Sequence, residues 1–259
     1  RSCFRRDGAE TDSLKMHGRG RAPRKRLAIL LRRAIMAAAL MAGLRTFLGL
    51  ALGLCTAARA CADEAVFQDD FKGKLGDGWS WTREHREGWR VGERGLEVRV
   101  EPGNMWGGAN NAKNVLVRPA PDPAQGEIEV SVTVENRPTE QYEQVDLVWY
   151  YDDSHMVKLG QELVDGKLSI VMGREEADRT RTIAIIPLES FSVRVRFIAS
   201  GNTIRGQFRP AGADAWRDAG GCDLPVKGAP KISLQFYQGP ASTEHWAKVS
   251  EFRVARRVK

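Results

Sequence analysis

The chain has 259 residues, of which 42% are hydrophobic, so it is long enough to bury one sizeable core. Its formal net charge of +7 is unevenly distributed: residues 1–62 hold 13 Lys and Arg against 3 Asp and Glu, which leaves 27 against 30 in residues 63–259. Residues 63–259 are therefore mildly acidic. This excludes the nucleic-acid partner that a basic chain would otherwise suggest.

The N-terminal 62 residues are predicted to precede the folded domain. We interpret residues 1–40, which begin with a basic stretch, as upstream sequence or an over-long gene model. Met41 opens a better segment, in which Arg45 is followed by an apolar run over 46–56 and by small residues around Ala60. Residues 41–62 are therefore predicted to be a secretory signal peptide, giving a secreted or periplasmic protein without a membrane segment. The alternative, an uncleaved membrane helix, would bury Arg45 at a cost of a few kcal/mol.

The cysteine positions argue against a disulfide framework or a zinc site. The four cysteines are Cys3, Cys55, Cys61 and Cys222. Only Cys222 follows the predicted signal peptide, so it has no partner there. The residues before Cys61 loosely match a lipoprotein cleavage box, and a lipid anchor at Cys61 is therefore an alternative to a free N-terminus.

From Phe67 onward the apolar runs are short, alternate with polar residues and are bounded by Gly, Pro, Asp or Asn, as is typical of β-strands. Strands are predicted at 95–100, 127–135, 144–151, 156–163, 168–172, 180–186, 191–198, 203–208, 231–237 and 246–254. Turn signals lie at 165–166, 200–202 and 220–221. Closely spaced strands without helical crossovers indicate an all-β domain of two packed antiparallel sheets over residues 63–259.

The period of two along a strand separates a core face from a second face. Val145, Leu147 and Trp149 are predicted to point into the core, which directs their polar and aromatic neighbours outward. The predicted outward set is Gln144, Asp146, Tyr150, Lys158, Glu162, Gln235 and Tyr237. Trp106, in a Gly-rich loop, could add a platform at the rim. Such a set suits sugars, which present hydroxyls and apolar C–H faces, although an open sheet face can also be polar simply because it is solvated.

Two carboxylates of this face could also serve catalysis. Glycoside hydrolysis requires a protonated acid and a second carboxylate, and Asp146 and Glu162 on neighbouring strands are the best candidates. Lys158 on the same face is expected to favour their ionised forms, which opposes the raised pKa of an acid. Binding without catalysis is therefore the favoured interpretation, and hydrolysis by this pair is the alternative.

A series of short motifs runs in order from about residue 67 to about residue 254. They are D-D-F at 69–71, W-S-W at 79–81, N-V-L-V-R-P at 114–119, Y-E-Q at 142–144, Y-D-D at 151–153, V-K-L at 157–159 and E-F-R at 251–253. The series resembles the concanavalin A-like lectin/glucanase sandwich of the bacterial "regulation of enolase" domain family, and the related C-terminal sandwich of family 43 β-xylosidases. The chain departs from that pattern at Asp146 and Glu251.

The resemblance implies a concanavalin A-like antiparallel jelly roll with a glycan or polysaccharide partner. It admits a structural calcium at Asp69 or Asp70, and no other metal or cofactor is expected. The laminarinase-like relatives of this fold carry E-x-D-x-x-E, which is missing here. We therefore predict a noncatalytic, exported carbohydrate-recognition domain. A glycoside hydrolase and a sugar-independent interaction module at the cell surface remain the alternatives, and the oligomeric state is open.

The export prediction can be checked on protein recovered from expressing cells. Because the small residues that precede Cys61 and Asp63 set the cleavage position, the mature chain should begin at one of these two residues. Intact-mass spectrometry of the soluble protein measures the N-terminus directly. Soluble cytoplasmic protein that retains residues 41–62 would contradict it.

Overall fold

The computed structural model describes residues 63–258. The predicted upstream sequence, the signal peptide and the lipid anchor at Cys61 lie outside these residues. Across the described range no helix has the length and apolar character needed to cross a membrane. The strands are β1 (Glu64–Asp69), β2 (Ser80–Thr82), β3 (Trp89–Gly92), β4 (Gly95–Arg99), β5 (Val115–Pro119), β6 (Ile128–Glu135), β7 (Gln144–Asp152), β8 (His155–Val164), β9 (Lys167–Glu176), β10 (Arg179–Pro187), β11 (Ser192–Ser200), β12 (Thr203–Pro210), β13 (Arg217–Asp223), β14 (Lys231–Tyr237) and β15 (Trp246–Arg256). Two short 3-10 helices, Arg86–Gly88 and Pro123–Gln125, lie between strands.

The strands form two antiparallel sheets that pack against each other. The first sheet has eight strands in the order β13-β12-β11-β6-β15-β4-β3, with β1 also paired to β15. The second sheet has seven, in the order β10-β9-β8-β7-β14-β5-β2. The predicted all-β antiparallel sandwich is confirmed. Within the second sheet, β7, β8, β9 and β14 are neighbours, and this order positions the candidate site.

The core lies between the sheets and follows the predicted alternation. Val130 and Val132 of β6 and Leu147 and Trp149 of β7 have no exposed surface. Their burial is the main favourable contribution to folding, at roughly 25 cal/mol for each Å² of apolar surface removed from water. The β-branched residues also suit the extended backbone of a pleated strand. The alternation thus places every second residue of β7 on the opposite face of its sheet.

Five strands, β1, β2, β3, β5 and β13, were not predicted. Most of them are short edge or near-edge strands, in which a period of two has too few repeats to stand out. The predicted turn at 220–221 is wrong, because Gly220 and Gly221 lie inside β13, opposite Gly206 and Arg205 of β12. Gly220 has a φ of +98°, at an irregularity in the pairing, where glycine permits a bulge rather than a reversal.

The end of β1 is fixed by the carboxylate of Asp69. It accepts hydrogen bonds from the backbone N–H of Phe71 at 2.7 Å, from that of Gly76 at 2.7 Å and from Nε1 of Trp79 at 3.0 Å. The carboxylate therefore holds the connection between β1 and β2 against the core. Residues 63–258 contain no group of three or more His, Cys, Asp or Glu arranged to hold a metal ion. Calcium binding at Asp69 or Asp70 stays a prediction.

Replacing this carboxylate should destabilise the domain. Asp69→Ala leaves three N–H donors without their charged acceptor, so we expect the free energy of unfolding to fall by about 2–4 kcal/mol. Urea denaturation followed by Trp fluorescence measures the change. Asp70→Ala is the matched control, because the Asp70 side chain is 43% exposed and its nearest cation, Lys72, is 3.8 Å away. The control should lose less than about 1 kcal/mol, and equal losses in both variants would contradict the assignment.

Candidate functional site

The predicted site residues of β7, β8 and β14 all lie on the face of the second sheet that points away from the core. The pairing brings Gln144 opposite both Glu162 and Tyr237, and Asp146 opposite Gln235. This face is not open to solvent as predicted, because Asp146, Gln235 and Tyr237 have no exposed surface. The segment 102–114, which connects β4 to β5, covers part of it. Strand parity was therefore correct, whereas the predicted exposure was wrong.

Arg83 attaches this covering segment to the sheet. Its Nε donates to the carbonyl oxygen of Ala112 at 2.6 Å, and its guanidinium forms an ion pair of 2.8 Å with Asp153 at the β7–β8 turn. A further N–H of Arg83 lies 3.0 Å from Sδ of Met105. One side chain thus contacts both ends of the segment and the turn beneath it. Because guanidinium donors have a fixed planar arrangement, these contacts set the position of the segment.

Beneath the segment lies a small apolar cluster that is separate from the main core. Its buried members are Met105, Ala112, Val115, Val117, Val148, Tyr150, Met156 and Tyr237. Tyr150 is enclosed in it, and its hydroxyl donates to Asp153 at 2.6 Å. Burial first, and then this hydrogen bond to a carboxylate, raise the pKa of Tyr150 above its ordinary value. Tyr150 consequently helps to anchor the segment, and it shares this cluster with the predicted site residue Tyr237.

A cavity of about 510 Å³ remains open beside the segment. Four predicted site residues line it: Trp106, Gln144, Lys158 and Glu162. Sequence reasoning missed Tyr142, Asp165, Ile185 and Gln238, which also line it. Tyr142 and Ile185 are 45% and 51% exposed, so they form an accessible rim. Tyr142 could have been proposed from its place in the Y-E-Q motif, whereas nothing in the local sequence marked Ile185 or Gln238.

The floor of the cavity is a buried ion pair. Nζ of Lys158 lies 2.9 Å from Oε2 of Glu162 and also donates to Oε1 of Gln144. The Lys158 and Glu162 side chains are only 2% and 9% exposed. Two charges are stable at this depth only when they are paired and hydrogen-bonded. The three polar groups are therefore held in fixed directions beneath the cavity.

The indole of Trp106 completes this arrangement from above. Its ring centroid is 4.7 Å from Nζ of Lys158, within the range of a cation–π interaction. The ring lies against Gly173 of β9, where a side chain would overlap it. Similarly, Gly160 leaves room for the carboxylate of Asp146 on the neighbouring strand. Glycine inside a strand often marks such a close approach, so these two positions carried a signal that sequence reasoning did not use.

Asp146 lies beside this floor on the same face of the sheet, in a poorly satisfied environment. Neither oxygen of its carboxylate has a hydrogen-bond partner of good geometry among the described residues, although the Tyr237 hydroxyl is a neighbour. Burial raises the pKa of Asp146 from 3.8 to about 7; Lys158 opposes this shift, and Glu162 adds to it. Lys158 favours the ionised form of this carboxyl, as expected, but the net shift of the Asp146 pKa is upward. Burial outweighs the attraction of one ammonium group.

Other polar atoms on the same face also have no partner among residues 63–258. They are Oγ of Ser233, Oε1 of Gln235, the Tyr237 hydroxyl and Oε1 of Glu175. The second Glu175 oxygen accepts from the backbone N–H of Gly107 at 3.0 Å, which adds another attachment of the covering segment. Burial is the main cause of the raised pKa of Glu175. A polar layer thus extends from the cavity floor underneath Trp106 and the segment.

No protein-family model matches the chain, and no curated protein matches it. Among solved structures it is similar to a GH43 protein from Bacillus licheniformis, at 18% identity and a TM-score of 0.64, over 73% of this chain and 39% of that one. A xylan β-1,4-xylosidase from Bacillus halodurans gives 18% identity and a TM-score of 0.63, again over 73% and 39%. A functionally unknown protein from Saccharomyces cerevisiae has 11% sequence identity and a TM-score of 0.56, over 70% of this chain and 98% of that one.

These likenesses show the fold. The chain is a two-sheet β-sandwich similar to part of the GH43 enzymes, and it spans 39% of the length of the two described above. The predicted resemblance to family 43 sandwiches is thus confirmed at the level of architecture. Membership of the "regulation of enolase" family stays a prediction.

The raised pKa of Asp146 predicts a pH dependence of stability. The folded state holds the Asp146 proton more tightly than the unfolded state, in which the pKa is near 3.8. Its contribution to stability is therefore present below about pH 4 and is lost as pH rises to about pH 7. The difference in unfolding free energy between the unaltered protein and Asp146→Asn should therefore fall as pH rises from about 4 to about 7. Urea titrations at several pH values measure it, and a difference that is constant with pH would refute the assignment.

Proposed function

We propose that the domain is an exported carbohydrate-recognition module that binds a glycan in the cavity beside Trp106 without cleaving it. The observation that carries the proposal is the group formed by Lys158, Glu162 and Gln144 under the Trp106 indole. The polar groups offer donors and acceptors in fixed directions, and the aromatic ring at the cavity wall offers an apolar surface. Sugars require both, because their hydroxyls are directional and their C–H faces are apolar.

The dimensions and rigidity of the cavity support this proposal. Its volume of about 510 Å³ lies within the range of small-molecule sites. The ion pair already fixes the floor residues. The Trp106 ring packs directly against the backbone at Gly173 and belongs to the attached segment. A ligand would therefore meet groups whose conformational entropy has already been lost on folding, which favours affinity. Similarity of the fold to GH43 enzymes adds a carbohydrate context, although fold alone does not determine function.

Accessibility favours binding over catalysis. A general acid must reach the glycosidic oxygen within hydrogen-bond distance. Asp146 has no exposed surface and does not line the cavity, and its candidate partner Glu162, which does line it, is paired with Lys158. The one observation in favour of a hydrolase is the pKa of about 7 for Asp146, which suits an acid near neutral pH. Hydrolysis is therefore the second candidate, and it would require Asp146 to become accessible.

The aromatic wall provides the test of binding. A glycan array should identify ligands, and titration calorimetry should then show that Trp106→Ala weakens binding by roughly 2 kcal/mol through loss of stacking area. Trp216→Ala is the matched control, because Trp216 follows β12 of the other sheet and does not line this cavity. Its ring centroid lies 4.0 Å from the guanidinium carbon of Arg196. The control should retain full affinity. If no glycan binds at all, the sugar-independent interaction module replaces this proposal.

Two carboxylate variants separate binding from catalysis. If the site only binds, Glu162→Gln should weaken glycan affinity by about 1–3 kcal/mol, because Lys158 and the ligand lose a charged partner. The unaltered protein should release no reducing sugar. If Asp146 and Glu162 are catalytic, Asp146→Asn and Glu162→Gln should each abolish turnover while binding persists, because an acid or nucleophile acts mainly in the transition state. Reducing-sugar assays combined with calorimetry distinguish these results.

A further inference from the structure

We infer that the cavity accepts uncharged glycans and rejects glycans that carry carboxylate or sulfate groups. This inference rests on the proposed carbohydrate-binding function and names the class of sugar that the same site takes. It follows from the charged groups around the cavity and from how their charges are already neutralised.

Lys158 is the one basic side chain among the residues that line the cavity. Its ammonium group is committed to Glu162 at 2.9 Å and to Oε1 of Gln144, and it faces the Trp106 ring at 4.7 Å. The side chain is 2% exposed. Recognition of a carboxylate or sulfate normally uses an Arg or Lys whose donors remain available. Lys158 does not meet this requirement, because its ammonium group is already engaged by Glu162, Gln144 and the Trp106 ring.

A second carboxylate, Asp165, adds negative charge at the cavity. Asp165 lies at the cavity rim, where one oxygen accepts from Nε2 of Gln141 at 3.2 Å. Glu175 and Asp146 lie in the polar layer under Trp106 and the covering segment, where burial raises the pKa of both carboxyls, and neither supplies a cation. An anionic sugar entering the cavity would therefore lose hydration without gaining a cation, and it would approach like charges. The hydroxyl groups of a neutral sugar can instead donate hydrogen bonds to the carboxylate oxygens at the cavity.

The inference can be tested with hexasaccharides of xylose, glucose, galactose and mannose against hexasaccharides of galacturonate and mannuronate. Affinities should be measured at about pH 5, where uronates remain ionised and Asp146 is protonated. We expect the best neutral ligand to bind at least about tenfold more tightly than any uronate. Equal or tighter binding of a uronate would overturn the inference while leaving carbohydrate binding intact. Failure of every glycan to bind would overturn the proposed function itself.

Variants test the cause of the selectivity. Glu162→Gln frees the Lys158 ammonium, so the neutral-to-uronate affinity ratio should fall by about tenfold. Asp165→Asn removes the same charge from the rim without freeing a cation, and it should change the ratio by less than about threefold because rim charges are screened. An unchanged ratio in folded Glu162→Gln would overturn the assigned role of the ion pair.

A second variant avoids the buried pair, in case Glu162→Gln does not fold. Ile185 lines the cavity and is 51% exposed, so Ile185→Lys adds an available ammonium group without disturbing the floor. Uronate affinity should rise by about tenfold relative to the control Ile185→Gln, and the gain should disappear at high salt. If uronates bind no better to Ile185→Lys than to the control, their rejection is not electrostatic and the inference fails.

Discussion

The buried ion pair of Lys158 and Glu162 is the interaction on which the candidate site depends. Its side chains are almost completely removed from water, and the desolvation cost of two charges is offset only when their geometry and hydrogen bonds are good. Gln144 and the Trp106 ring supply these additional contacts. Apolar residues could occupy such positions without this cost. The pair is therefore better explained by what it presents to the cavity than by stability.

The pair in turn requires the segment 102–114 to lie on the sheet. Arg83 attaches the segment near Met105 and Ala112, and Glu175 accepts from Gly107. Gly173 allows the Trp106 ring to approach the sheet closely enough to face Lys158. These contacts join β9 and the β7–β8 turn to a connection that precedes β5. The sandwich thus provides a rigid floor, and an irregular segment provides the wall, as is common for binding sites on scaffolds of regular structure.

The sequence predicted what depends on local periodicity and missed what depends on distant contacts. Alternation along β7 correctly separated Leu147 from Asp146, because successive side chains point to opposite faces of a sheet. The covering segment could not be foreseen, since Arg83 and Asp153 meet across 70 positions of the chain. The pKa of Asp146 was misjudged for the same reason: the attraction of Lys158 could be inferred from strand parity, but the depth of burial could not.

Asp146 and Glu162 show why a carboxylate pair alone does not define a hydrolase. Both lie near Lys158, yet Glu162 lines the cavity whereas Asp146 does not line it and has no exposed surface. Burial gives Asp146 the pKa of about 7 that suits an acid and at the same time removes it from contact with a substrate. The property that favours catalysis and the obstacle to it therefore have one physical cause. The two proposed functions, glycan binding and hydrolysis, therefore differ in whether Asp146 is accessible beneath the Trp106 segment and not in the identity of the two acids.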